Sequence, residues 1–124
     1  MNQKLWNEAI EFHGHQCMGL ALGFRMGEEA KKIFGQTAEI HCRIPARNCI
    51  TDGITVTTGA SVENGRVVID SSLSGYEFYL PEEEEGWCFT YKQLDFPKTE
   101  DSIKIVLTGA RDFLFQVMPF DLEA

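Results

Sequence analysis

MGLALGFRMGEEAKKIF, residues Met18 to Phe34, carries the strongest helical pattern in the chain. Leu20, Ala21, Phe24, Ala30, Ile33 and Phe34 recur mainly at three- and four-residue spacings, which mark one apolar helix face. Arg25, Glu28, Glu29, Lys31 and Lys32 fill most of the other face, and Gly35 is a natural stop. Gly19, Gly23 and Gly27 recur every four residues within the same stretch. Each costs up to about 1 kcal/mol relative to alanine in a helix interior. Three in register therefore point to another backbone pressed against that side, from either a second copy of the chain or an element of the same chain.

Working outward, Asn7 to Phe12 reads as a short amphipathic helix with Trp6, Ile10 and Phe12 inward. After the long helix, Ala38 to Ile44 (AEIHCRI) alternates as a strand. Ile40, Cys42 and Ile44 fall on one face, Glu39, His41 and Arg43 on the other, and Pro45 ends the strand. Cys49 to Thr58 is rich in β-branched residues. Propensity favours a strand there, while a helix beginning near Asn48 also fits the spacing. Asn64-Gly65 predicts a hairpin that leads into a strand over Arg66 to Asp70. Glu77 to Leu80 and Trp87 to Lys92 read as further strands, with a solvated acidic turn at Glu82 to Glu85 between them. Ser102 to Leu107 (SIKIVL) alternates and predicts a strand, and Asp112 to Phe120 closes as a strand or a helix followed by a strand. Helices early and strands late give an α+β expectation: N-terminal helices packed on a mostly antiparallel sheet, as a single domain over residues 1–124.

Composition narrows the function. The 124 residues are 44% hydrophobic and 11% aromatic, enough for one core without a covalent staple. Lys+Arg 11 against Asp+Glu 19 leaves a net charge of −8. That balance argues against nucleic acid, whose counterions are displaced by clustered basic groups, and against an anionic membrane surface. No apolar run approaches the roughly 20 residues of a membrane span. The stretch Met1-Asn2-Gln3-Lys4-Leu5-Trp6-Asn7-Glu8 has no secretory pattern, so a cytoplasmic protein is expected, with Cys17, Cys42, Cys49 and Cys88 as thiols. Phosphate-loop, dinucleotide and serine-hydrolase motifs are all missing.

The chemistry concentrates in Phe12-His13-Gly14-His15-Gln16-Cys17-Met18-Gly19, which holds two of the three histidines and one of the four cysteines. Imidazole nitrogen and thiolate sulfur suit zinc and similar ions. An imidazole beside a thiol also makes a nucleophile. In an extended segment His13, His15 and Cys17 all project to one face, whereas in a helix only His13 and Cys17 do. Cys17 falls at the start of the long helix, where the positive end of the helix favours a thiolate. Cys42 reads as a core residue, Cys88 as packing and His41 as solvated. Cys49 stands open between site and core, with Asp52 three residues on, able to hydrogen-bond a ligating imidazole or simply to favour a helix start. Arg25 and Arg47 offer contacts to a substrate anion, but the favoured reading for both is a surface role.

Residues 12–25 (FHGHQCMGLALGFR) resemble the signature of the formylmethanofuran dehydrogenase E-subunit family, and Cys49 to Gly59 (CITDGITVTTG) is similar to that family's Cys-x-x-Asp segment. The closing Phe113-Leu114-Phe115-Gln116-Val117 resembles its final strand. The resemblance implies an α+β core in which the two segments meet around a pocket, a helix rather than a strand from Cys49 to about Thr58, and a homodimer. It assigns functional roles to His13, His15, Cys17, Cys49 and Asp52. Some members carry a C-terminal zinc finger, and the domain here is expected without it. Met18 stands where the family usually has proline, and Ala60 where a cysteine often follows the glycine, which suggests one ligand fewer.

The leading expectation is thus a small cytoplasmic, homodimeric domain that binds a metal, zinc first, through His13, His15, Cys17 and Cys49, with Asp52 behind them. A bound water becomes a nucleophile if a coordination position is open. Two rivals remain: a metal-free enzyme with Cys17 as thiolate and His13 or His15 as base, and a non-catalytic component of a larger molybdenum or tungsten redox complex.

Overall fold

In the computed structural model, which describes residues 2–92 and 100–122, the glycine-bearing helix runs from Met18 to Phe34, the bounds its periodicity predicts. It follows a first helix, Gln3–His13 (α1), and is itself α2. A strand His41–Ile44 (β1) leads to a helix Cys49–Thr58 (α3), and a strand Val67–Ile69 (β2) lies parallel to β1. Strands Tyr76–Tyr79 (β3) and Glu85–Tyr91 (β4) follow, then the helices Glu100–Thr108 (α4) and Arg111–Leu114 (α5) and the strand Phe115–Asp121 (β5). The sheet order is β2-β1-β3-β4-β5, antiparallel except at the β1–β2 pair. The α+β expectation of a single domain holds.

One face of the sheet carries the core. Cys42 pairs with Phe78, Tyr76 with Phe89, and Phe89 with Val117, so apolar residues line up across four strands. Ile40, Cys42, Ile44, Phe78, Phe89 and Phe115 are buried with Leu20, Phe24 and Ile54 from α2 and α3. Trp6 of α1 meets Phe24 edge-on at 5.2 Å between ring centres. Burying each large side chain is worth about 1.5–3 kcal/mol. The opposite face is polar at its centre, where Arg43 pairs with Glu77 at 2.8 Å and His41 lies against Tyr79.

The glycine repeat finds its partner within the chain. A Cβ on Gly23 would run into the Ile50 carbonyl, and one on Gly27 into the Thr57 side chain. Gly53 returns the contact from α3, where a Cβ would meet the Phe24 amide nitrogen. The two helices therefore touch backbone to backbone, and the alternative of a second copy at these glycines is not needed.

Several expectations are corrected. Cys49 to Thr58 is a helix, not the strand its β-branched content favours. A capping box decides it: the Asn48 side chain accepts from the Ile50 amide at 3.0 Å, and the Asn48 amide donates to the Thr51 hydroxyl at 3.0 Å. Gly59 closes it in the left-handed conformation, φ 80°. Ser102 to Leu107 is helical too, within α4. The apparent alternation misleads because Ile105 is exposed while Ser102, Ile103, Val106 and Leu107 are buried at helical spacing. Asn64-Gly65 makes a turn but no hairpin, since α3 precedes it and β2 pairs parallel with β1. Of the two readings for residues 112–120, helix then strand is correct. Helix α1 begins four residues earlier than read, at Gln3 rather than Asn7, and Phe12 points to solvent.

Arg25 is the largest correction. It is buried, not a surface residue: its side chain and that of Glu29 are 7% and 8% exposed and pair at 2.9 Å. Arg25 also donates to the carbonyls of Val106 at 3.3 Å and Gly109 at 2.6 Å, which ties α4 and the turn after it to α2. Burial works to raise the Glu29 pKa, but hydrogen bonds and charge from Arg25 and Lys32 outweigh it and hold the carboxyl below its ordinary value. Arg47 is exposed as expected, paired with Glu63.

Candidate metal centre

The site forms where α1 ends and α2 and α3 begin. His13 is the last residue of α1, and Gly14 turns the chain with φ 102° while its amide caps the helix on the Ile10 carbonyl at 2.7 Å. Only glycine takes that conformation without strain. Cys17 is the N-cap of α2, in extended conformation, and its sulfur accepts from the Leu20 amide at 3.4 Å. The segment is thus not one extended strand with three side chains on a common face. A helix end, a left-handed glycine and an extended cap fold His13, His15 and Cys17 back together. One ligand atom from each lies within 4.8 Å of the others.

Helix α3 delivers the second half. Cys49 occupies its first position and Asp52 the fourth. The Asp52 carboxylate lies 2.7 Å from His13 Nδ1, with side-chain exposures of 31% and 11%. That leaves Nε2 facing Cys17, 3.7 Å from its sulfur. Cys49 packs against Gly19, two residues after Cys17 in the first turn of α2, although its thiol lies outside the 4.8 Å group of three. Burial, the Cys17 thiol and the Asp52 charge push the Cys49 pKa up. The remaining thiols are apart: Cys42 sits in the core, its pKa pushed to about 12 by burial, and Cys88 lies on β4. His41 stacks against Tyr79 on the far face of the sheet.

Two site features escape the sequence reading. Gly19 is part of the site, because a Cβ there would come 2.8 Å from the Cys49 Cβ, so the glycine makes room for the cysteine. The four-residue glycine repeat was the available signal. Ala60 carries the second. It is buried just beyond the C-terminal end of α3, and ten residues of helix put it about 15 Å from Cys49. A side chain at that position is therefore remote from this cluster.

The donor set fits a metal ion that takes imidazole and thiolate. A ligating histidine typically donates its second ring nitrogen to a carboxylate, which fixes the tautomer and aims the other nitrogen at the ion. Asp52, His13 and Cys17 form that chain. The same three groups also match a thiol activated by a base that a carboxylate orients.

A family model described as FmdE, molybdenum formylmethanofuran dehydrogenase operon, matches residues 12–109, beginning on the motif itself. The chain belongs to the FmdE family. A probable S-adenosyl-L-methionine-binding protein of Archaeoglobus fulgidus is 34% identical over 73 residues, which cover 52% of this chain and 20% of that protein. The FmdE-family chain thus spans about a fifth of that curated relative. The crystal structure of a tungsten formylmethanofuran dehydrogenase FmdE-like protein from Syntrophus aciditrophicus superposes with a TM-score of 0.74 at 18% identity, over 95% of this chain and 71% of that one. It establishes the shared fold. Among the described residues, no helix is long and apolar enough to cross a membrane.

Proposed function

We propose that this FmdE-family chain is a small metal-binding domain whose ion, zinc first, is held by His13, His15, Cys17 and Cys49, with Asp52 orienting His13. The observation that carries the reading is the Asp52–His13 hydrogen bond at 2.7 Å, which points the free His13 nitrogen at Cys17. Two nitrogens and two sulfurs make a tetrahedral set that zinc favours. On this reading the protein acts in the cytoplasm as a homodimer, and the family's description supports a place beside a molybdenum or tungsten redox enzyme. Elemental analysis and titration against a chromophoric chelator test the metal. About one equivalent per chain is expected, and Asp52→Asn should weaken affinity by roughly 10–100-fold. Metal well below one equivalent, unchanged after adding zinc, sinks the proposal.

The Asp52, His13 and Cys17 chain favours a second reading, a metal-free thiol enzyme in which His13 takes the Cys17 proton. It predicts that Cys17 in metal-free protein alkylates far faster than Cys42 or Cys88, and that His13→Asn removes the advantage. Equal, slow alkylation at the three positions counts against it.

A further inference from the structure

We propose that Cys17 and Cys49 form a reversible disulfide when no metal is bound, so the site is either loaded or cross-linked. The inference rests on the metal-centre reading only for that exclusion; the disulfide itself stands on the placement of the two cysteines. All four cysteines are free thiols. Cys17 and Cys49 come from segments 32 residues apart in sequence, yet the fold brings both to the first turn of α2, Cys17 as its cap and Cys49 packed against Gly19. The glycine seam holds them there. The Cys49 Cβ is seated in the space Gly19 leaves open, two residues after Cys17 and in the same first turn of α2. Both cysteines begin a helix, Cys17 as a cap and Cys49 at the first position, and both are half-buried, within reach of a small solute. Cys42 is fully buried, and Cys88 lies against Glu77 and Thr90.

The co-reactant is a small disulfide such as oxidised glutathione. One site thiolate attacks it, forming a mixed disulfide and releasing one glutathione thiolate. The second site thiolate attacks the mixed disulfide at the protein sulfur and releases the other. Two protein thiols lose two electrons and two protons, and one glutathione disulfide becomes two glutathione molecules. Cys17 and Cys49, if both held an ion, would give it the electron pair each needs for attack and would be poorer nucleophiles in both steps.

Trypsin separates the four cysteines: Cys17 falls in residues 5–25, Cys42 in 33–43, Cys49 in 48–66 and Cys88 in 67–92. Metal-free, reduced protein is equilibrated with oxidised and reduced glutathione, quenched in acid, alkylated and mapped by mass spectrometry. The expected product joins peptides 5–25 and 48–66, reverts with excess reduced glutathione, and is absent in Cys17→Ser and Cys49→Ser. One equivalent of zinc should slow its formation at least tenfold. Separate glutathione adducts on Cys17 and Cys49 without the cross-link overturn the proposal, as do equal yields of cross-links to Cys42 or Cys88. Zinc binding without a cross-link in the metal-free protein removes the disulfide and leaves the metal centre. A cross-link that zinc does not slow removes the metal centre and the exclusion together, and leaves the disulfide.

Discussion

Helix α2 is held on two sides by opposite means. Toward α3 it presents glycines, and the contact is main chain against main chain, with Gly23 under Ile50 and Gly53 under Phe24. Toward α4 it presents Arg25, whose guanidinium spans Glu29 and the carbonyls of Val106 and Gly109. The first contact has no rotamers to adjust, so it fixes positions and tolerates no added atoms. The second depends on charge, so it responds to solvent and pH. The site lies at the end of the first contact, where fixed positions of Cys17 and Cys49 are what the chemistry needs.

The largest way to break this contrast is Gly23→Ala. Its Cβ has a backbone carbonyl in its path, and the loss should reach about 3 kcal/mol or more, since a main-chain neighbour cannot rotate away. Urea unfolding reads the loss, and metal binding should fall with it. A change under about 1 kcal/mol would mean the helices slide apart easily and the seam is not rigid.

Next comes Arg25→Leu, expected to cost about 2 kcal/mol, because Glu29 keeps Lys32 while one buried carboxylate partner and two carbonyl partners lose a donor. Here the effect should be local. Hydrogen exchange should quicken through α4 with α2 and α3 still protected. Uniform loss of protection would erase the distinction between the two contacts.

Acid tests the same point more gently. The Glu29 pKa is lower folded than its ordinary value of 4.5. Its pair therefore contributes stability above about pH 4.5, lost as pH falls through the folded pKa. Exchange in α4 should rise on going from neutral to strongly acidic solution, and Glu29→Gln should flatten that dependence. An unchanged slope in Glu29→Gln would assign the effect to other groups.

The smallest expected effect is at the far end of α3. Ala60→Cys should leave metal stoichiometry and affinity unchanged, as titration would show. An added equivalent or a tenfold tighter ion would bring that position into the site after all.

Much of this was legible in the residues. The long helix has its predicted bounds, the alternation of Ile40, Cys42 and Ile44 marks a buried face, and the motif marks the cluster. What was not legible depends on partners distant in sequence. Thr51, Ile54 and Thr57 look like strand residues until a cap and the glycines of α2 accept them as a helix. Ile103, Ile105 and Leu107 alternate, but burial follows a helical spacing that skips Ile105. Arg25 looks solvated because a charged residue on a mostly polar face usually is, and only its reach to α4 reverses that. Within the site, His13, His15 and Cys17 could be grouped from spacing. Contact with Cys49 and Asp52 needed the fold.

The parallel pairing of β1 with β2 has one more consequence. Strand β1, helix α3 and strand β2 make a small β-α-β unit inside a sheet that is otherwise antiparallel. In such units the space beyond the carboxyl end of the strand collects helix starts and becomes the place where ligands gather. Cys49 begins α3 five residues after β1 ends, and α2 starts beside it. The His/Cys corner is therefore built from one crossover, the start of α2 and the end of α1, while β4 and β5 lie on the other side of β3. Substitutions on the exposed side of the outer strands should therefore leave the geometry of the His/Cys cluster unchanged.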